Sequence, residues 1–243
     1  MEGKVAVVTG AVSGIGLALT QDLLAQGWRV AMGDVNEAAG EGLVAKLGSN
    51  VLFRKTDVFD WDQLAALFKA AHTRWGRINF HAANAGVGDI EAMYGPTAGE
   101  DGEPRKPNLK TVDIDLSAVI YGVRLSMHYF QRNAIPGGKI VVTSSVAGLC
   151  PAPHLPQYSA CKHAVCSSSF ISEPSVKLAW LDLTDNHEVG GTDEGHGRTT
   201  FWRKHHHQRH LSRIRPDSAR TRCTQRSVAE RTRHTHVDDL EGV

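Results

Sequence analysis

Short apolar runs rich in β-branched residues alternate with helically spaced apolar residues through the first two thirds of the chain. "VAVVTG", "WRVAMGD" and "VLFRKTDV" read as strands, with helices predicted over residues 14–26 and over "NEAAGEGLVAKLG" between them. In "DWDQLAALFKAAHTRWG" the apolar positions Leu64, Leu67, Phe68 and Ala71 repeat at helical spacing, and "INFHAANAG" returns to strand. A polar stretch over residues 87–108 reads as a loop that could border a substrate. A long helix follows over "LKTVDIDLSAVIYGVRLSMHYFQRN", then the strand "GKIVVTSS". Strands joined by crossover helices predict an α/β fold with a doubly wound parallel sheet. Such a sheet binds its cofactor at the carboxyl ends of its strands.

Length and composition allow this. The 243 residues are 41% hydrophobic, enough for the core of one α/β domain. A formal net charge of +1 predicts no strong attraction to nucleic acid or to an anionic membrane. Strand-like sequence begins by Lys4, and no stretch is apolar for long enough to cross a bilayer, so a soluble, cytoplasmic protein is expected. Cys150, Cys161, Cys166 and Cys223 form no Cys-x-x-Cys pair, so free thiols are expected, with no disulfide and no zinc site.

The first strand runs into "TGAVSGIG", with glycines at Gly10, Gly14 and Gly16. Glycines at a strand-to-helix turn let a ligand approach the backbone, and the helix N-terminus there favours a pyrophosphate. Asp34 ends the second strand about 20 residues on, where a carboxylate can accept hydrogen bonds from ribose hydroxyls. That carboxylate would repel a 2′-phosphate, and neither Val12 nor Val35 supplies a compensating positive charge, so NAD is expected over NADP.

A second constellation lies in "SSVAGLCPAPHLPQYSACK". Tyr158 and Lys162 are four residues apart on one helical face, where the ammonium can favour a phenolate and make Tyr158 a usable acid/base. Ser145 ends a strand upstream, where its hydroxyl can hold the oxygen that Tyr158 protonates or deprotonates.

With these residues the chain resembles the short-chain dehydrogenase/reductase family. "TGAVSGIG", Asp34, "DV" at Asp57 and Val58, "NAG" at Asn84, Ala85 and Gly86, and the set Ser145, Tyr158 and Lys162 appear in the family's order and spacing. The resemblance implies a Rossmann-type fold and hydride transfer between a substrate carbinol carbon and NAD, converting a secondary alcohol to a ketone or the reverse. It implies cofactor contacts from Thr9, Gly10, Ser13, Gly14, Ile15, Gly16, Asp34, Asp57, Val58, Asn84, Ala85, Gly86, Tyr158 and Lys162. Asp57 and Val58 would flank the adenine. Tyr158 would act as acid/base, Lys162 would also bind the nicotinamide ribose, and Ser145 would orient the substrate. The wording looks most like NAD-dependent alcohol oxidisers related to 15-hydroxyprostaglandin dehydrogenase and dehydrogenases of fungal terpenoid and polyketide pathways. The implied partners are a small-molecule alcohol or ketone and a second copy of the chain, as homodimer or homotetramer, with neither nucleic acid nor membrane.

Two departures stand out. Where the family usually has Asn, the long helix carries Asp115, placed here with the catalytic residues; an ionised carboxylate accepts hydrogen bonds but cannot donate them. After Ala164 the family pattern stops, so residues 1–164 read as the NAD-binding and catalytic domain and residues 165–243 as an atypical, disordered tail without the last strands. Between Arg203 and His236 there are nine Arg, one Lys and six His, with only Leu211, Ile214 and Val228 as branched aliphatics. The segment lacks the aromatic interleaving of a nucleic-acid binder, and the crowded His205, His206, His207 and His210 lack the second shell of a metal site. It resembles translation in a shifted reading frame. The rival to an active dehydrogenase is therefore an inactive remnant that at most binds NAD, with assembly also in doubt. His81, Cys150 and Trp28 read as packing residues.

Overall fold

The structure, a computed structural model, describes residues 3–95, 99 and 101–167 and the backbone of 176–181. All of them fall within one compact unit, Met1–Gly191. Strands β1 (Val5–Thr9), β2 (Arg29–Asp34), β3 (Val51–Lys55) and β4 (Phe80–Ala83) alternate with helices α1 (Gly14–Ala25), α2 (Glu37–Leu47) and α3 (Trp61–Trp75). Next come α4 (Lys110–Val112), a π-helical turn (Asp113–Ser117), α5 (Ala118–Phe130), β5 (Gly138–Thr143), a 3₁₀ turn (Val146–Gly148), α6 (Pro156–Ser167) and β6 (Val176–Leu181). The strands form one sheet in the order β3-β2-β1-β4-β5-β6, and every neighbouring pair is parallel. The direction of winding reverses between β1 and β4. That switch point is where doubly wound sheets open a crevice for ligands.

The elements follow from their sequences. Every side chain of β1 is buried, as expected for a central parallel strand covered on both faces. Helix α3 starts at Asp60, whose carboxylate accepts the Asp62 and Gln63 amides, and stops at Gly76 in the left-handed conformation. Its apolar stripe, Leu64, Leu67, Phe68 and Ala71, is buried with Phe130 and Val119 on one face of the sheet. On the other face Leu19 and Leu23 of α1 pack with Val8 and Met32.

The structure adds two features to the sequence reading. The long helix is interrupted by the π-helical turn, which holds Asp115. Beyond residue 164, α6 continues to Ser167, and "VKLAWL" pairs with β5 as β6, the apolar and β-branched content of that run sufficing for a strand. The Arg- and His-rich stretch lies outside the described residues.

His81 and Trp28 are packing residues, as expected. His81 is buried on β4 against the Phe68 ring, with 5.0 Å between centroids, and its Nδ1 lies 2.8 Å from Ser126 Oγ. Burial pushes its pKa down to about 3. Trp28 meets Phe80 edge to face. Cys161 and Cys166 are free thiols. Cys150 corrects the expectation of four free thiols: it is disulfide-bonded. It is half-buried next to the 3₁₀ turn.

Candidate functional site

The glycine turn between β1 and α1 is shaped by steric demand. Gly10 has φ +64°, and a Cβ there would come within 3.0 Å of Ala85 Cα. A Cβ at Gly16 would collide with the Gly10 carbonyl oxygen, so the first turn of α1 packs on the strand end only if residue 16 is glycine. Gly14 differs. Its φ is +51°, yet a Cβ would meet nothing within 4 Å. Ser13, at the N-cap of α1, forms no capping side-chain bond, and Ile15 is exposed beside it. The turn thus leaves open space beside Gly14 at the positive end of a helix, where a pyrophosphate could be held.

Asn84 ties this turn to the sheet. Its Nδ2 donates to the carbonyls of Thr9 (3.1 Å) and Gly10 (3.3 Å), while its Oδ1 accepts from Thr143 Oγ1 (3.0 Å). Thr9 Oγ1 in turn accepts the Asn84 and Ala85 amides. Three strand ends, from β1, β4 and β5, are locked by this one network.

Asp34 stands at the carboxyl end of β2, accepting the Val12 amide (3.3 Å) and the Asn36 amide (3.1 Å). It therefore sits beside the glycine turn, where a dinucleotide's adenosine ribose would lie. Asp57 follows β3; its carboxylate accepts the Phe59 amide and its own amide donates to Gln63 Oε1. Val58 turns its side chain into the core.

Around Tyr158 the structure gathers three of the expected residues. The Lys162 ammonium lies 5.2 Å from the Tyr158 ring centroid, 3.0 Å from Asp115 Oδ2 and 3.1 Å from the Thr143 carbonyl oxygen to which it donates. Asp115 Oδ1 accepts the Val87 amide at 2.8 Å. The carboxylate thus meets Lys162 directly. Burial pushes the Asp115 pKa up, against the pull of the Lys162 ammonium and the Val87 hydrogen bond. Gly86 closes the cluster: a Cβ there would stand 3.1 Å from Asp115 Oδ2 and 3.4 Å from Lys162 Nζ. Ser145 caps the 3₁₀ turn after β5, its Oγ accepting the Ala147 amide at 3.2 Å. Gly148 of that turn packs on the backbone of Lys162.

A glycine turn at the switch point, a carboxylate ending β2, and a Tyr–Lys pair beside the fifth strand form one arrangement. Residues 4–172 match the profile of short chain dehydrogenases. This chain belongs to the short chain dehydrogenase family. The short-chain dehydrogenase/reductase prx6 of Penicillium rubens is 38% identical over 176 residues, covering 68% of this chain and 59% of the relative. Human 15-hydroxyprostaglandin dehydrogenase [NAD(+)] is 36% identical over 171 residues, with the same coverages of 68% and 59%. The prx4 protein of Penicillium roqueforti is 32% identical over 163 residues, covering 67% of this chain and 46% of the relative. A crystal structure of a family member from Burkholderia phymatum in complex with NAD superposes with a TM-score of 0.64 at 30% identity, covering 74% of this chain and 65% of that one. The chain therefore spans about half of the length of these relatives, 46% to 59% of the three.

Two residues of this candidate site escaped the sequence reading. Thr143 serves both Asn84 and Lys162, and its only signal was its place at the end of a strand. Asp89, in the loop after β4, accepts the amides of Gln157 (3.1 Å) and Tyr158 (2.7 Å). The loop over residues 87–108 does border the Tyr158 helix: Gln157 Nε2 also donates to the Asn108 carbonyl at 3.0 Å.

Proposed function

We propose that this chain holds NAD at the carboxyl end of its sheet and interconverts a secondary alcohol and a ketone on a hydrophobic small molecule. The observation that carries the proposal is the placement of the Lys162 ammonium against the Tyr158 ring, with two of its donors already committed to Asp115 and the Thr143 carbonyl. NAD, when bound, supplies the carbon that accepts or returns a hydride. Gly10, Ser13, Gly14, Ile15 and Gly16 cradle the pyrophosphate, with Thr9, Asn84, Ala85 and Gly86 holding that cradle in shape. Asp34 accepts from the ribose hydroxyls and repels a 2′-phosphate, while Asp57 and Val58 border the adenine. The Tyr158 hydroxyl takes the alcohol proton or returns it to the ketone, Lys162 steadies the phenolate, and Ser145 orients the substrate oxygen. The NAD-bound Burkholderia phymatum structure and the NAD(+) in the human relative's name support the choice of cofactor.

Exposed apolar side chains on the two loops flanking α6 support a hydrophobic substrate. They are Ile90, Met93 and Tyr94 after β4, and Val146 and Leu149 after β5. A role in fungal secondary metabolism, on a terpenoid or polyketide, draws its support from the Penicillium source of two relatives.

A second reading is an inactive remnant that binds NAD without turnover. The family match ends at residue 172 of 243, and a shifted reading frame in the segment after Ala164 would account for the lost pattern. Incubating the purified chain with NAD and a panel of secondary alcohols, and following reduced nicotinamide by absorbance, tests both. Turnover that disappears in Tyr158→Phe supports the dehydrogenase. Saturable NAD binding with no turnover supports the remnant.

A further inference from the structure

Helix α6 begins at Pro156 without a capping residue of its own. Pro156 is well suited to the first helical position, but the residue before it is Leu155, whose side chain can accept no hydrogen bond. The Leu155 carbonyl takes the first intrahelical bond, from the Ser159 amide at 2.9 Å, which makes Leu155 the N-cap. The amides of the second and third helical residues, Gln157 and Tyr158, are the donors a capping side chain would satisfy. Both point at Asp89, 68 and 69 residues upstream, which takes one on each carboxylate oxygen.

We propose that Asp89 is a positioning residue for Tyr158, a cap supplied from the loop after β4 that fixes the start of the catalytic helix. The carboxylate faces the positive end of α6, which strengthens both bonds. The same loop is anchored again at Asp115, through the Val87 amide, and at Thr111, whose Oγ1 donates to the Gly88 carbonyl at 3.0 Å. Asp89 thus joins a firmly held stretch of loop to the backbone of Tyr158 itself. Residues 87–89, at the start of the loop that would border substrate, are thereby tied to the backbone of the residue that would exchange its proton. The catalytic part of this inference rests on the proposed dehydrogenase activity; the capping part does not.

The test is hydrogen exchange at the Gln157 and Tyr158 amides in full-length Asp89→Ala and Asp89→Asn, alongside turnover. In Asp89→Ala both amides are expected to exchange about tenfold faster or more, the size of a lost cap, while β1 and β2 amides stay unchanged. In Asp89→Asn, which keeps one acceptor oxygen, one of the two amides is expected to remain protected, and this variant carries the test if Asp89→Ala does not fold. With an active chain, kcat is expected to fall about tenfold in Asp89→Ala with NAD affinity unchanged, and to recover partly in Asp89→Asn. Unchanged exchange at both amides in the folded variant overturns the cap; faster exchange with unchanged kcat overturns the positioning role. A wild-type chain without turnover overturns the dehydrogenase reading and the catalytic role together, while the exchange result still decides the cap.

Discussion

The Lys162 ammonium and the Asp115 carboxylate stand 3.0 Å apart with side-chain exposures of 5% and 0%, an ion pair sealed beneath Tyr158. A buried charge without its partner is costly, because neither water nor another dipole replaces the lost interaction.

Replacing Asp115 by alanine leaves the Lys162 ammonium buried with only the Thr143 carbonyl. A loss of about 3–5 kcal/mol in unfolding free energy is expected, measured by urea denaturation. Asp115→Asn keeps an acceptor for Lys162 and is expected to lose clearly less. Equal losses in the two variants would show that charge, not hydrogen bonding, holds Lys162.

Stability should fall in acid through His81. Burial holds its pKa near 3, against an ordinary 6.5, so the unfolded chain takes up a proton there while the native one does not. The contribution is complete above pH 6.5 and is lost as pH falls toward about 3. Asp115 works in the opposite sense: its raised pKa makes the native state the tighter proton binder, so its contribution declines as pH rises through the shifted range. Denaturation midpoints across this range should show a shallower acid slope in His81→Asn, which keeps a polar partner for Ser126, than in wild type.

The glycines of the first turn should separate into two kinds. Gly16→Ala forces a Cβ onto the Gly10 carbonyl and is expected to reduce both stability and NAD affinity. Gly14→Ala meets no protein atom within 4 Å. Its stability cost is expected to be the left-handed backbone strain of about 1–2 kcal/mol. Its NAD affinity should fall more than about tenfold, because the methyl occupies the cradle. Thermal unfolding and calorimetric titration of the two variants check this.

What the sequence made legible, and what it hid, divides along physical lines. The βαβ order, the glycine turn, Asp34 and the Tyr158–Lys162 face follow from periodicity and fixed spacing, which are local properties of the chain. Asp89 was invisible because it lies 68 and 69 residues upstream of Gln157 and Tyr158, the partners that only the fold brings to it; the one clue was negative, a leucine where a cap belongs. The direct Asp115–Lys162 contact was hidden for the same reason. The sequence placed Asp115 on an unbroken helix, whereas a π-helical turn carries it to Lys162. Strand β6 went uncounted because its short apolar run stands in a segment that has left the family pattern, where only pairing with β5 identifies it.

The central claim is that the amino-terminal part of this chain folds as a dinucleotide site keyed by Asp34. Calorimetric titration of NAD into the purified full-length chain and into Asp34→Ala, with thermal unfolding of each protein alongside, tests it most directly. Saturable one-to-one binding to the wild type, weakened about tenfold or more in a variant that remains folded, is the predicted result. An absence of saturable binding, or equal affinity in the folded variant, would contradict it.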